Sequence, residues 1–179
     1  MAIVRVAGNL SSVACRMVAA ITRSAACHVA LVVRAVGSSR AVVVESDTIN
    51  PKIADERTGS PRSGTQVLDF EARRLQWGTG VAYRTFATIV DKSLFLKALA
   101  PEAWAPYGGT LENLWRLWER SYVRPPTEWV CSTLAAAILA AIDCLANDTA
   151  AWNALPLDFV GSTLNIGCRL GNETALPFQ

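Results

Sequence analysis

The sequence predicts an α+β fold, a small antiparallel sheet packed on a central helix. Three observations point there. Two β-branched runs, HVALVV (28–33) and AVVVES (41–46), flank a Gly37-Ser38-Ser39 centre and read as a hairpin. The longest apolar run, Trp129 to Ile142, is rich in alanine and reads as a buried helix. Taken in chain order, the segments run helix, β-rich middle, then helices.

A first short strand is expected over Ala2 to Val6, followed by Gly8. Ser11 to Ser24 then carries Val13, Met17, Val18 and Ile21 at helical spacing behind capping serines. After the hairpin, residues 50–66 hold Pro, Gly and charge without periodicity, which predicts a long surface loop or lid. Strand-like pieces follow at Gln66–Phe70 and Gly80–Phe86, and a short helix at Ser93–Ala100. APYGGT (105–110) is a turn. Leu111 to Tyr122 has Leu111, Leu114, Trp115 and Trp118 at helical spacing and is stopped by Arg124-Pro125-Pro126. The helix that includes Cys131 is expected from about Thr127 to Leu145, and the tail is expected to be irregular.

The chain has 179 residues, 51% of them hydrophobic, which fits a single domain over 1–179 with its own core. A net charge of +2 and scattered arginines argue against nucleic acid as a partner. Arg57, Arg62, Arg73 and Arg74 alternate with Asp55, Glu56, Asp69 and Glu71, a pattern read as solvated loop and strand edge. Five cysteines (15, 27, 131, 144, 168) without CxxC spacing, and one histidine, predict neither a disulfide framework nor a metal site, and no cofactor. A cytoplasmic location follows as an expectation, with virion association or another release route as alternatives. The N-terminus has Arg5 inside any apolar stretch, so no signal peptide is expected. The apolar run is shorter than the roughly 20 residues a spanning helix needs; peripheral membrane contact stays compatible. The six tryptophans are expected in the core and in helix packing.

Cys131 and His28 are the residues with chemistry. A cysteine in the first turn of a helix has its thiolate favoured by the macrodipole and free N–H groups, and an imidazolium adds to that. With one histidine, only one cysteine–histidine site exists, and His28 opens a strand whose hairpin partner ends in carboxylates. If the turn centres on Gly37-Ser38, Ala30 faces Glu45 and His28 faces Asp47. A turn at Val36-Gly37 puts Glu45 opposite His28, and a three-residue loop offers Ser46. In the first two registers Glu45 shares the face of His28, directly or as a diagonal neighbour, and is the expected orienting group. Cys27 should point away from His28, and Cys144 reads as core.

Several segments in order resemble the circularly permuted papain-fold hydrolases of the NlpC superfamily, YiiX-like branch. These are Thr22-Arg23-Ser24-Ala25-Ala26-Cys27-His28-Val29-Ala30-Leu31-Val32, the strand Val42-Val43-Val44-Glu45, Tyr107-Gly108-Gly109 before a helix, Trp129-Val130-Cys131-Ser132-Thr133-Leu134, and Leu155-Pro156-Leu157-Asp158. The similarity spans about residues 10 to 165. It implies a permuted papain-like fold, with Cys131 as nucleophile, His28 as base and Glu45 as third residue. Thr133 departs from the acidic residue that often follows the Cys-Ser pair, and loop 50–66 has no counterpart.

The expectation is a thiol hydrolase or acyltransferase acting through a thioester on a peptide, peptidoglycan or lipid acyl bond. The competing expectation is a non-catalytic interaction module on the same scaffold, using exposed tryptophans and loop 50–66.

Overall fold

The structure, a computed structural model, describes residues 2–7, 13–22, 26–48, 52–77, 81–86, 90–100, 103–121, 127–145, 151–159 and 174–175. It is α+β. The strands are β1 (Ala2–Ala7), β2 (Ala26–Arg34), β3 (Ala41–Asp47), β4 (Gly64–Asp69), β5 (Val81–Thr85) and β6 (Thr174–Ala175). They form one six-stranded sheet in the order β4-β3-β2-β1-β5-β6, and every pairing is antiparallel. The helices are α1 (Val13–Thr22), α2 (Phe70–Trp77), α3 (Lys92–Leu99), α4 (Leu111–Trp118) and α5 (Cys131–Ala141). Two 3-10 turns, Ala151–Asn153 and Pro156–Phe159, follow α5.

The β2–β3 hairpin has the register in which Leu31 faces Val44 and Arg34 faces Ala41. Alternation then sends Val29, Leu31 and Val44 to one face of the sheet and Ala30 and Val43 to the other. The first set packs with Leu134, Ala135, Ile138 and Leu139 of α5 and with Phe95 and Leu99 of α3. The second packs with Trp77 of α2 and Val81 of β5. The sheet is thus covered on both faces, which explains the near-continuous apolar runs in β2 and β3. Ala135 and Ala136 let α5 approach the sheet closely, both being 2% exposed or less.

The turn itself is Ala35 to Ser38, with Ser38 N donating to Ala35 O and Gly37 at φ 79°. The register is the one expected for a Gly37-Ser38 centre, but the turn centres on Val36-Gly37. Ser38 Oγ bonds both the N–H and the carbonyl of Arg40, which takes up the extra residues.

Several expectations need correction. Residues 70–77 form a helix where the strand-like piece was expected to reach Phe70; β4 ends at Asp69, whose Oδ1 accepts from Ala72 N and caps α2. α5 begins at Cys131 rather than Thr127 and ends at Ala141, and α4 ends at Trp118. The described part of the 50–66 segment is no free lid. Asp55, 0% exposed, accepts from Arg57 N, Nε and Nη2 and from Val67 N, while Arg57 reaches the carbonyls of Ala103 and Thr65. Gly64 ends the segment at φ 93°, where a Cβ would run into the carbonyl oxygen of Ala105.

Disulfides are present, against expectation: Cys27 and Cys144 are each disulfide-bonded. An odd count without CxxC spacing does not exclude disulfide bridges. Their presence removes the ground on which a cytoplasmic location was expected. Cys168 and the side chain of Cys15 lie outside the described residues. Trp77 and Trp129 are core, as expected, but Trp104, Trp115 and Trp118 are exposed, by 61%, 54% and 42%. Among the described residues no helix is long and apolar enough to cross a membrane.

Candidate active site

The β2–β3 ladder stops at Leu31 and Val44. Past that point β3 takes another neighbour. Ser46, fully buried, donates through Oγ to the carbonyl of Trp129 at 2.6 Å. The same Trp129 carbonyl accepts from Gly108 N at 2.9 Å, and Trp129 N donates to Pro106 O at 3.1 Å. The segment before α5 is therefore clamped between the end of β3 and residues 106–108. This delivers Cys131, the first residue of α5, to the end of the hairpin where His28 sits.

His28 Nε2 lies 2.7 Å from Glu45 Oε2. Continuing the ladder's register puts Ala30 opposite Glu45 and His28 opposite Asp47, so Glu45 reaches the ring as a diagonal neighbour. Asp47 does not take that place: its Oδ2 is 2.6 Å from Arg73 Nη2. Cys131 is near enough to act on the charge of the His28 ring. With Nε2 on Glu45, Nδ1 is the ring nitrogen that remains for other partners. All three residues singled out in the sequence therefore share one site.

Burial opposes a charge on His28, but Cys131 and Glu45 outweigh it and raise its pKa well above the usual 6.5. Burial likewise opposes ionisation of Glu45, which is 1% exposed. His28 and Arg73 outweigh it and hold the carboxyl below its usual 4.5. Cys131 is partly exposed and is the free cysteine among the described residues, so the sulfur is open to a reagent.

Arg73 is what the sequence reading missed. Its Nε lies 2.7 Å from Glu45 Oε1, an ion pair whose N–H is poorly aligned for a hydrogen bond. It is 8% exposed, not the solvated strand edge expected. The signal was present in FEARRLQW: Phe70, Arg73 and Trp77 fall on one helical face, so an inward face for the two aromatics takes Arg73 with them. Tyr107 is a second neighbour; burial, Cys131 and Asp47 together push its phenol pKa up. Its ring folds over Gly109, where a Cβ would collide with it.

Ligand-type atoms of His28, Glu45 and Asp47 lie within 4.8 Å of one another. A cation at this cluster would compete with the guanidinium of Arg73, which already bonds both carboxylates. At the start of α5, Val130 is the N-cap and offers no side-chain cap. The first-turn N–H groups beside Cys131 thus receive no hydrogen bond from an N-cap side chain.

No protein-family model and no curated protein matches the chain.

Proposed function

We propose that this protein is a thiol-dependent hydrolase or acyltransferase with a permuted papain-like, NlpC-type fold. The observation that carries this reading is His28 held between Glu45, at 2.7 Å, and Cys131 at the head of a buried helix. Cys131 attacks the carbonyl of an amide or ester, and His28 Nδ1 takes the thiol proton. The first-turn N–H groups of α5 receive the developing oxyanion. Collapse expels the amine or alcohol, which His28 protonates, and leaves a thioester on Cys131. Water or another acceptor, deprotonated by His28, then releases the acyl group. Peptide, peptidoglycan and lipid acyl bonds all fit this sequence of steps.

The non-catalytic alternative draws on the exposed Trp104, Trp115 and Trp118. A free thiol acting on an imidazole that is itself bonded to a buried carboxylate weighs against it, since a partner surface needs no such arrangement. The test is covalent labelling by iodoacetamide and by an acyl-phosphonate probe near neutral pH. Labelling is expected in wild type and lost in Cys131→Ala. Equal labelling of both proteins overturns the reading.

A further inference from the structure

We propose that Arg73 is a positioning residue of this site: by gripping Glu45 and Asp47 it keeps Glu45 a hydrogen-bond acceptor, and so fixes His28 in the tautomer able to take the Cys131 proton. This rests on the thiol-hydrolase reading and extends it to a group that never touches substrate.

The geometry is that of a fixed cation. Arg73 reaches Glu45 Oε1 through Nε and Asp47 Oδ2 through Nη2, and donates from Nη1 to Gln76 Oε1 at 3.2 Å. Its guanidinium carbon lies 5.5 Å from the centre of the Trp77 ring, which in turn stands 6.4 Å from the ring of His28. Ion-paired with Glu45, hydrogen-bonded to Asp47 and Gln76, and lying over an indole, the guanidinium has little freedom to leave. Lysine offers one point charge in place of this fork.

The need for that cation follows from the neutral form of the ring. Only in that form can the imidazole accept a proton. The groups facing it are Cys131 from α5, Glu45 and Asp47 from β3, Arg73 from α2, and Tyr107 from the 103–110 segment. Arg73 is the permanent cation of that set. Without it, a carboxylate as buried as Glu45 would face a neutral ring, and an isolated buried charge neutralises by taking up a proton. A protonated Glu45 would donate its O–H to Nε2 and drive the ring proton to Nδ1, the nitrogen that remains for the thiol proton. That ring has no lone pair for the Cys131 proton. Arg73 keeps Glu45 ionised, so the proton stays on Nε2 and Nδ1 stays open.

The single histidine makes this testable, because the ring nitrogens of an untagged, 15N-labelled chain give one set of signals, those of His28. Wild type, Arg73→Gln and Arg73→Lys are titrated by ring 15N spectra and by the rate of Cys131 alkylation with iodoacetamide. In wild type the neutral ring is expected to carry its proton on Nε2. In Arg73→Gln the proton should move to Nδ1, and alkylation near neutral pH should fall at least about tenfold. The alkylation midpoint should rise by about one unit or more, the scale on which a neighbouring charge acts. Arg73→Lys should lie between the two.

A folded Arg73→Gln with the wild-type tautomer and an unmoved midpoint overturns the proposal. If the glutamine variant does not fold, the lysine variant decides: its midpoint must rise, by less, and no movement overturns the proposal. Failure of the parent reading looks different. Then the wild-type thiol is itself unreactive near neutral pH, and the ring tautomer in the variants still decides for or against Arg73.

Discussion

Glu45 shows how much a single buried carboxylate depends on its neighbours. It is held by His28 at 2.7 Å and Arg73 at 2.7 Å, and together they hold its pKa below 4.5 despite near-complete burial. Glu45→Gln keeps the volume and removes the charge. Its amide N–H can donate to Nε2, which favours the wrong tautomer. Turnover, or alkylation of Cys131, is therefore expected to fall by about 10²-fold or more, as when an imidazole loses its orienting carboxylate. Because the folded pKa of Glu45 is lowered, its contribution to stability is complete above the unfolded value and is lost as pH falls through the folded one. Urea midpoints of wild type and Glu45→Gln should accordingly differ at neutral pH and converge in acid, below pH 4.5. His28 has the opposite sign. Its raised pKa adds stability in full below 6.5, and that contribution fades as pH climbs through the folded midpoint.

At the scale of elements, the site depends on where α5 starts, and Ser46 bears on that start. Its hydroxyl bonds the Trp129 carbonyl inside the core, two residues before Cys131. Ser46→Ala removes that bond and leaves Gly108 N as the partner of the carbonyl. A loss of about 1–3 kcal/mol in unfolding free energy is expected, read as a lower denaturant midpoint. Alkylation of Cys131 should slow in the folded variant too, because the head of α5 loses its tether to β3. A variant as stable and as reactive as wild type would show that the clamp does not position the helix. The elements legible in the sequence were those with one clear period: β1, the β2–β3 hairpin, α1, α3 and the body of α5. The pairing of His28 with Glu45 was legible too, since two of the three registers considered put them on one face. What escaped was set by tertiary contacts. FEARRLQW has a polar surface typical of solvated helix or loop, and only packing of Phe70 and Trp77 on the sheet turns Arg73 inward. Residues 52–66 lack periodicity because they are organised around one buried carboxylate, Asp55, rather than around an apolar face.

For the whole molecule, the two disulfide-bonded cysteines sit where the site's supports begin and end. Cys27 precedes His28 on β2, and Cys144 lies just past the end of α5, its N–H bonded to Leu139 O. Bridges at those points restrain the strand that presents the imidazole and the helix that presents the thiol, while Cys131 itself stays free. A native disulfide contributes about 2–5 kcal/mol, and for a chain of this length each kcal/mol is worth about 2–4 °C. Dithiothreitol is therefore expected to lower Tm by on the order of 5–20 °C. Alkylation of the unreduced, denatured protein followed by peptide mass spectrometry should label Cys131 and spare Cys27 and Cys144 until reductant is added. The two measurements belong together. Labelled Cys27 or Cys144 in the unreduced protein would mean that packing alone holds β2 and α5 in place. In that case Tm should not respond to reductant, and the thiol and imidazole would owe their meeting to the clamp at Trp129 and the apolar face of α5.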